Sequence, residues 1–197
     1  MNYHKGFTLI ELIIVMSIIA VLSTLGFSTY NSIQQDARNA KRKADLVKMK
    51  EALESYKLEH NGQYPATFVG GARQYFGLCN VNPWGPEGFS PSGATGYIPL
   101  LSSTYIEELP VDPKDNQINS SSAWSSCRTL PNYNCYLYTS DGTDYKVMAH
   151  CSPEGVLSTD DPFFDPCRPV HAWQVSSSTR AEGVLNGAGT GCNPGGF

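Results

Sequence analysis

Lys5-Gly6-Phe7-Thr8-Leu9-Ile10-Glu11-Leu12-Ile13-Ile14-Val15-Met16 opens a stretch whose apolar character runs almost unbroken to Phe27. Residues 7–27 supply roughly the 20 residues that a helix, rising about 1.5 Å each, needs to cross a hydrocarbon core about 30 Å thick. The stretch predicts a membrane-spanning helix with one anomaly. Glu11 lies inside the apolar run, where a carboxylate in lipid costs on the order of a few kcal/mol. No Lys or Arg occurs between Phe7 and Arg38, so a cationic partner has to come from outside the helix.

Two simpler readings account for less. A secretory signal has an apolar core of about 7 to 15 residues followed by a small-residue cleavage site. Here the core is longer and no Ala-x-Ala follows it. A plain N-terminal anchor leaves both Glu11 and the Gly6-Phe7 junction unexplained.

A short leader with a basic residue, then Gly6 and Phe7-Thr8-Leu9-Ile10-Glu11-Leu12 ahead of an apolar helix, resembles the class III signal of type IV pilins and type II secretion pseudopilins. The resemblance implies that a membrane prepilin peptidase cuts between Gly6 and Phe7 and methylates the new amino group of Phe7. It also implies that Glu11, with Phe7 and Thr8 beside it, recognises the N-terminus of a neighbouring subunit. Charge supports the transfer: cleavage creates a cation at Phe7 in the same apolar stratum as Glu11, and opposite charges attract more strongly there than in water. The pair would act between subunits as a register device.

The rest of the 197-residue chain leaves room for one modest domain, and its net charge of −4 gives no basic excess to suggest a nucleic-acid partner. Residues 31–60 carry 7 Lys/Arg against 5 Asp/Glu, whereas residues 61–197 carry 6 against 12. His4 and Lys5 place the N-terminal side in the cytoplasm by the positive-inside tendency. Cys79, Cys127, Cys135, Cys151, Cys167 and Cys192 then all fall on the oxidising side, where an even count predicts disulfides. Six cysteines allow about 15 pairings, so connectivity stays open. A zinc site is disfavoured because no Cys-x2-Cys pair occurs.

Beyond Phe27 the chain turns polar without a helix breaker. Ile33, Ala37, Ala40, Ala44 and Val47, followed by Leu46, Met49, Leu53 and Tyr56, recur at helical spacing and predict an amphipathic helix over residues 31–60. His60-Asn61-Gly62 and Tyr64-Pro65 mark its end. Family members often carry a Pro late in the apolar half. Here Leu25-Gly26-Phe27-Ser28 stands instead, with Gly26 weakening the helix by about 1 kcal/mol relative to Ala. Lys41-Arg42-Lys43 reads as a solvated face, with Asp36, Asp45, Glu51 and Glu54 as helical-spacing partners, in preference to a polyanion or lipid site.

Residues 61–134 are loop-rich. Thr104 is positioned to cap a short helix ended by Pro110. The string Tyr105-Ile106-Glu107-Glu108-Leu109-Pro110-Val111-Asp112-Pro113 resembles the loop before the sheet in major pseudopilins, although Lys114-Asp115-Asn116 replaces the usual Trp-Gly. Asn82-Pro83-Trp84-Gly85 reads as a turn. Cys135–Ser140 and Thr143–Ala149 alternate around Asp141-Gly142, predicting a β-hairpin, with a third strand over residues 170–175. The tail over residues 182–197 is Gly-rich.

The fold expected is α+β: a leader (1–6), an apolar helix (7–30), an amphipathic helix continuous with it (31–60), and a disulfide-braced head (61–197). In the head, a small antiparallel sheet packs on the second half of the helix. Asp141 and Asp144 invite a calcium reading, with Asp160, Asp161 and Asp165 as alternatives, but the spacing lacks an EF loop's alternating ligands and the hairpin explains the same residues. His150-Cys151 is no nucleophile–base pair, because strand neighbours point to opposite faces and no companion motif occurs. No cofactor or enzymatic activity is expected. The aromatics Tyr64, Tyr75, Phe76, Trp84, Phe89, Trp124, Phe163, Phe164 and Trp173 read mainly as core and loop anchors. The reading is a prepilin that leaves the inner membrane for a homo-oligomeric type IV pilus at the cell surface through the pilus assembly machinery. A type II secretion pseudopilin is the alternative, and a membrane-anchored enzyme or binding head the second. Head size and cysteine content weigh toward the pilus.

Overall fold

The structure is a computed structural model that describes residues 6–69, 72–77, 96–115, 117–120, 122, 125–128 and 134–177. Side chains of residues 24–29, 69, 72–73 and 125–126 fall outside that description, as do Cys79, Cys192, Trp84, Phe89, Trp124 and the tail over residues 182–197.

Helix α1 spans Leu9–Glu59. It starts two residues later than the apolar run because Thr8 acts as its N-cap rather than as a helical residue. It stops where Asn61 (φ 54°) and Gly62 (φ 78°) enter the left-handed region. The Gly62 amide then donates back to the Lys57 carbonyl at 3.0 Å, the six-to-one bond of a Schellman end. Gly26 and Ser28 carry helical backbone. Among the described residues, no helix is long and apolar enough to cross a membrane.

The chain forms two compact units, residues 1–37 and 38–197. In the first, the apolar side chains of residues 9–22 stand exposed. The second holds a four-stranded antiparallel sheet in the order β3-β4-β5-β6, built from Phe76–Gly77, Cys135–Ser140, Tyr145–His150 and Ala172–Ser176. A two-stranded ribbon, β1 (Phe68–Val69) with β2 (Ala72–Arg73), precedes it. The hairpin is longer-looped than expected. Ser140 pairs with Tyr145, so residues 141–144 form the connection. Gly142 supplies a φ of 90°, and the Asp141 carboxylate accepts from the amides of Thr143 (2.9 Å) and Asp144 (2.8 Å). This local capping outcompetes the two-residue turn.

Strand alternation divides the sheet's contacts. Tyr136, Tyr138, Tyr145, Val147, Ala149 and Trp173 join Leu46, Met49, Leu53 and Tyr56 of α1 in one buried core. Tyrosine hydroxyls rivet this layer: Tyr136 donates to Asp45 at 2.8 Å and Tyr138 to the Pro65 carbonyl at 2.6 Å. The opposite face is buried too, with Cys135, Leu137 and Met148 under Tyr75. It also holds an ion pair, Lys146 to Asp165 at 2.9 Å, with both side chains fully buried. Gly77 lies so close to the Leu137 side chain and the Tyr136 carbonyl that a Cβ there would collide with both.

The helix expected over residues 104–109 does not form. Leu100 (φ 62°) and Ser103 (φ 70°) turn the chain, and the Ser103 amide donates to the Ile106 carbonyl at 2.7 Å, closing a loop incompatible with helical bonding. Ile98, Leu101, Ile106 and Leu109 anchor that loop in the core.

Candidate functional site

In the first unit, Thr8 and Glu11 form a reciprocal N-terminal cap. The Thr8 amide donates to Glu11 Oε2 at 2.8 Å, the Thr8 hydroxyl donates to the same oxygen at 2.7 Å, and the Glu11 amide reaches Thr8 Oγ1 at 3.3 Å. This is the Thr-x-x-Glu capping box, which satisfies helix-end donors and places a negative group at the positive end of the dipole. Sequence reasoning selected both residues as assembly determinants but did not see that they bond to each other, although the spacing alone carries that signal.

Phe7 stands 90% exposed and, with Glu11, Leu12, Val15 and Met16, borders an apolar groove along one side of the helix start. Gly6 has open space where a side chain would project. The junction between Gly6 and Phe7 is thus an exposed, non-helical peptide ahead of the first turn. Such a segment fits an extended protease site without local unfolding.

The second unit carries a charged cluster that the sequence reading missed. Arg42, expected on a solvated face, is completely buried. Its guanidinium donates to Asp112 through Nε (2.8 Å) and Nη2 (3.1 Å), and through Nη1 to Glu154 and to Asn39 Oδ1, each at 3.0 Å. Arg38 grips Glu154 with two bonds of 2.7 Å, and Lys114 adds a third cation at 3.0 Å. Burial pushes the Glu154 carboxyl up, but the bonds from Arg38, Lys114 and Arg42 outweigh it and hold the group at about 2. Arg42 stays charged because Asp112 and Glu154 offset its desolvation. Asn39 completes the contact, donating to the Glu154 carbonyl at 2.8 Å and accepting from its amide at 3.1 Å. Lys43 is also drawn in, pairing with Asp161 at 2.6 Å above the Trp173 ring. Only Lys41 behaves as expected, bonded to Asp45 one turn on. Arg42 lies four residues before Leu46 on the buried stripe, and this was the available signal.

Cys127 and Cys151 form a disulfide, and Cys135 and Cys167 are disulfide-bonded as well. Cys151 therefore carries no free thiol, and its neighbour His150 lies buried with its ring edge on to His171. Asp144 accepts from the Ser177 hydroxyl at 2.8 Å, while Asp161 and Asp165 serve the ion pairs above. Among the described residues, no group of three or more His, Cys, Asp or Glu is placed to hold a metal ion.

An apolar, self-capped helix start with an exposed Gly-Phe junction, preceding a helix-backed antiparallel head, defines an assembly subunit of the prepilin class. Residues 1–27 match the model of the prokaryotic N-terminal methylation motif. Type II secretion system core protein G of Escherichia coli K12 is 38% identical over 118 residues, covering 57% of this chain and 68% of that protein. Its counterpart from Aeromonas hydrophila is 32% identical over 113 residues, covering 57% and 69%. That from Pectobacterium carotovorum is 31% identical over 110 residues, covering 56% and 62%. The matched stretch thus spans about two thirds of the length of these relatives. No solved structure matches the chain significantly. The chain belongs to the family of type IV pilins and type II secretion pseudopilins.

Proposed function

We propose that this chain is a pseudopilin precursor: a prepilin peptidase cuts it after Gly6 and methylates Phe7, and it assembles through its N-terminal helix into the short filament of a type II secretion system. The observation that carries the reading is the Phe7-Thr8-Glu11 arrangement at the start of an exposed apolar helix. The three relatives named above, each a core protein G, favour the pseudopilin over the pilus that head size and cysteine content suggested.

Before assembly, residues 7–27 hold the chain in the inner membrane with the leader in the cytoplasm. The capping box keeps the Glu11 carboxylate hydrogen-bonded there, which lowers the penalty for placing it in lipid. After cleavage, the Phe7 amine of an incoming subunit offers Glu11 a full charge in place of two local bonds. The head carries no chemistry in this scheme.

Mass spectrometry of the N-terminal peptide from native cells tests it. A chain beginning at methylated Phe7 in the envelope fraction, and absent from sheared surface fibres, is expected. Recovery from long sheared fibres would favour the pilus, and an intact Met1 would reject processing altogether. Glu11→Ala should leave cleavage after Gly6 intact and reduce cross-linkable filaments by about a hundredfold or more, the scale of removing one partner of a buried ion pair.

A further inference from the structure

The charged cluster on α1 is not a free-standing device. Its acceptor, Glu154, lies three residues beyond Cys151, and that short segment is pinned at every step. Cys151 takes a φ of 54°, unusual for a residue with a side chain, and is bound to Cys127. Asn119 ties the two halves together. Its amide donates to the Cys127 carbonyl at 2.9 Å, and its side chain donates to the carbonyls of Cys151 (2.8 Å) and Pro153 (2.9 Å). One residue on, Asn39 clamps the Glu154 backbone from the helix, and Arg38 and Arg42 take its carboxylate. Disulfide, Asn119, Glu154 and helix thus form one unbroken run of bonds.

We propose that the Cys127–Cys151 bond is a redox-operated latch on the helix: its formation sets Glu154 where Arg38 and Arg42 hold it, and the reduced chain lacks that latch. Forming the bond releases two protons and two electrons from two thiols. A disulfide oxidant, protein or small molecule, accepts them by exchange through a mixed disulfide and leaves as a dithiol. In the reduced chain Cys151 loses its covalent tether and only the Asn119 bonds to the Cys151 and Pro153 carbonyls still brace the turn, so Glu154 is less firmly placed. Arg42 then sits in an apolar layer with one partner held less firmly, which favours local opening of the helix around it. A subunit on the reducing side of the membrane would keep this turn loose, and one exposed to oxidant would close it.

Limited trypsin digestion of the full chain in detergent reads the latch directly, because Arg38, Arg42 and Lys43 are cleavage sites that α1 protects. Cleavage after Arg42 is compared with cleavage after Lys57, which lies on the same helix outside the cluster. Cys127→Ser/Cys151→Ser should raise the rate at Arg42 by about tenfold, the effect of removing one or two buried hydrogen bonds, with little change at Lys57. Asn119→Ala, which keeps the disulfide, should do the same. If the serine pair loosens the whole head, so that both sites accelerate alike, Asn119→Ala decides. An unchanged rate at Arg42 in that variant, or an equal rise at Lys57, would overturn the proposal.

Discussion

Arg42 shows how one residue can mislead a reading made by composition. In a Lys-Arg-Lys run it looks like surface charge, yet its position one turn before Leu46 puts it inside, and the head supplies Asp112 and Glu154 to meet it. Those partners are 70 and 112 residues away in sequence, so no local pattern announces them. Arg42→Ala would leave Asp112 buried without its two bonds, and urea unfolding of the full chain should register a loss of about 3–5 kcal/mol. Arg42→Lys should recover only part, since an ammonium cannot make the forked contact. Glu154 gives the cluster a pH signature. Its carboxyl is held at about 2 when folded, below the ordinary 4.5, so its contribution is complete above pH 4.5 and fades as pH falls toward 2. Glu154→Gln should flatten the stability profile in that window, and an unchanged slope would show that the cluster does not set it. By contrast, Thr8 and Glu11 are three residues apart, so their Thr-x-x-Glu capping bond lay in the local sequence, although only the resemblance of the stretch, not that bond, singled them out.

At the scale of elements, legibility followed periodicity. The stripe through Leu46, Met49, Leu53 and Tyr56 and the strands over residues 135–140 and 145–150 both appear in the structure: the helix buries one face, whereas the strands are buried on both and their alternation sorts side chains between the helix and the Tyr75 side. Ile33, Ala37, Ala40, Ala44 and Val47, read as the start of the same stripe, are all exposed, because the face that the head covers runs through Arg42, Leu46, Met49 and Leu53 instead. Short elements defined by distant partners stayed hidden. Phe76–Gly77 is a strand only because Tyr138 and Leu137 lie beside it. The turn over residues 98–106 displaced a helix that Thr104 and Pro110 could have bounded. Leu53 is wholly buried where helix meets sheet, so Leu53→Ala should lower stability by about 2–5 kcal/mol in the same unfolding assay. A much smaller loss would mean that this contact is not the one joining α1 to the strands.

At the scale of the whole molecule, acid should act on the head before it reaches Glu154. His150 and His171 lie edge to face, 5.4 Å apart, beside Arg168, which sits 3.6 Å from Asp165, itself paired with Lys146. Burial, reinforced by Arg168, pulls His171 down to about 4, and burial, reinforced first by His171 and then by Arg168, holds His150 well below its usual 6.5. Both are neutral in the folded chain, so below pH 6.5 the unfolded chain takes up protons that the folded one refuses. Stability should therefore fall as pH drops from 6.5 toward 4, and His150→Gln/His171→Gln should abolish that limb of a stability–pH curve. The sheet has a further property that matters for any protein meant to polymerise. Its β4 edge is covered by a two-residue strand that fits only because Gly77 has no side chain. A single methyl group there would lift the guard and bare a row of unpaired amides and carbonyls, a template onto which a foreign strand can add. The glycine thus keeps that edge of the sheet closed to strand addition.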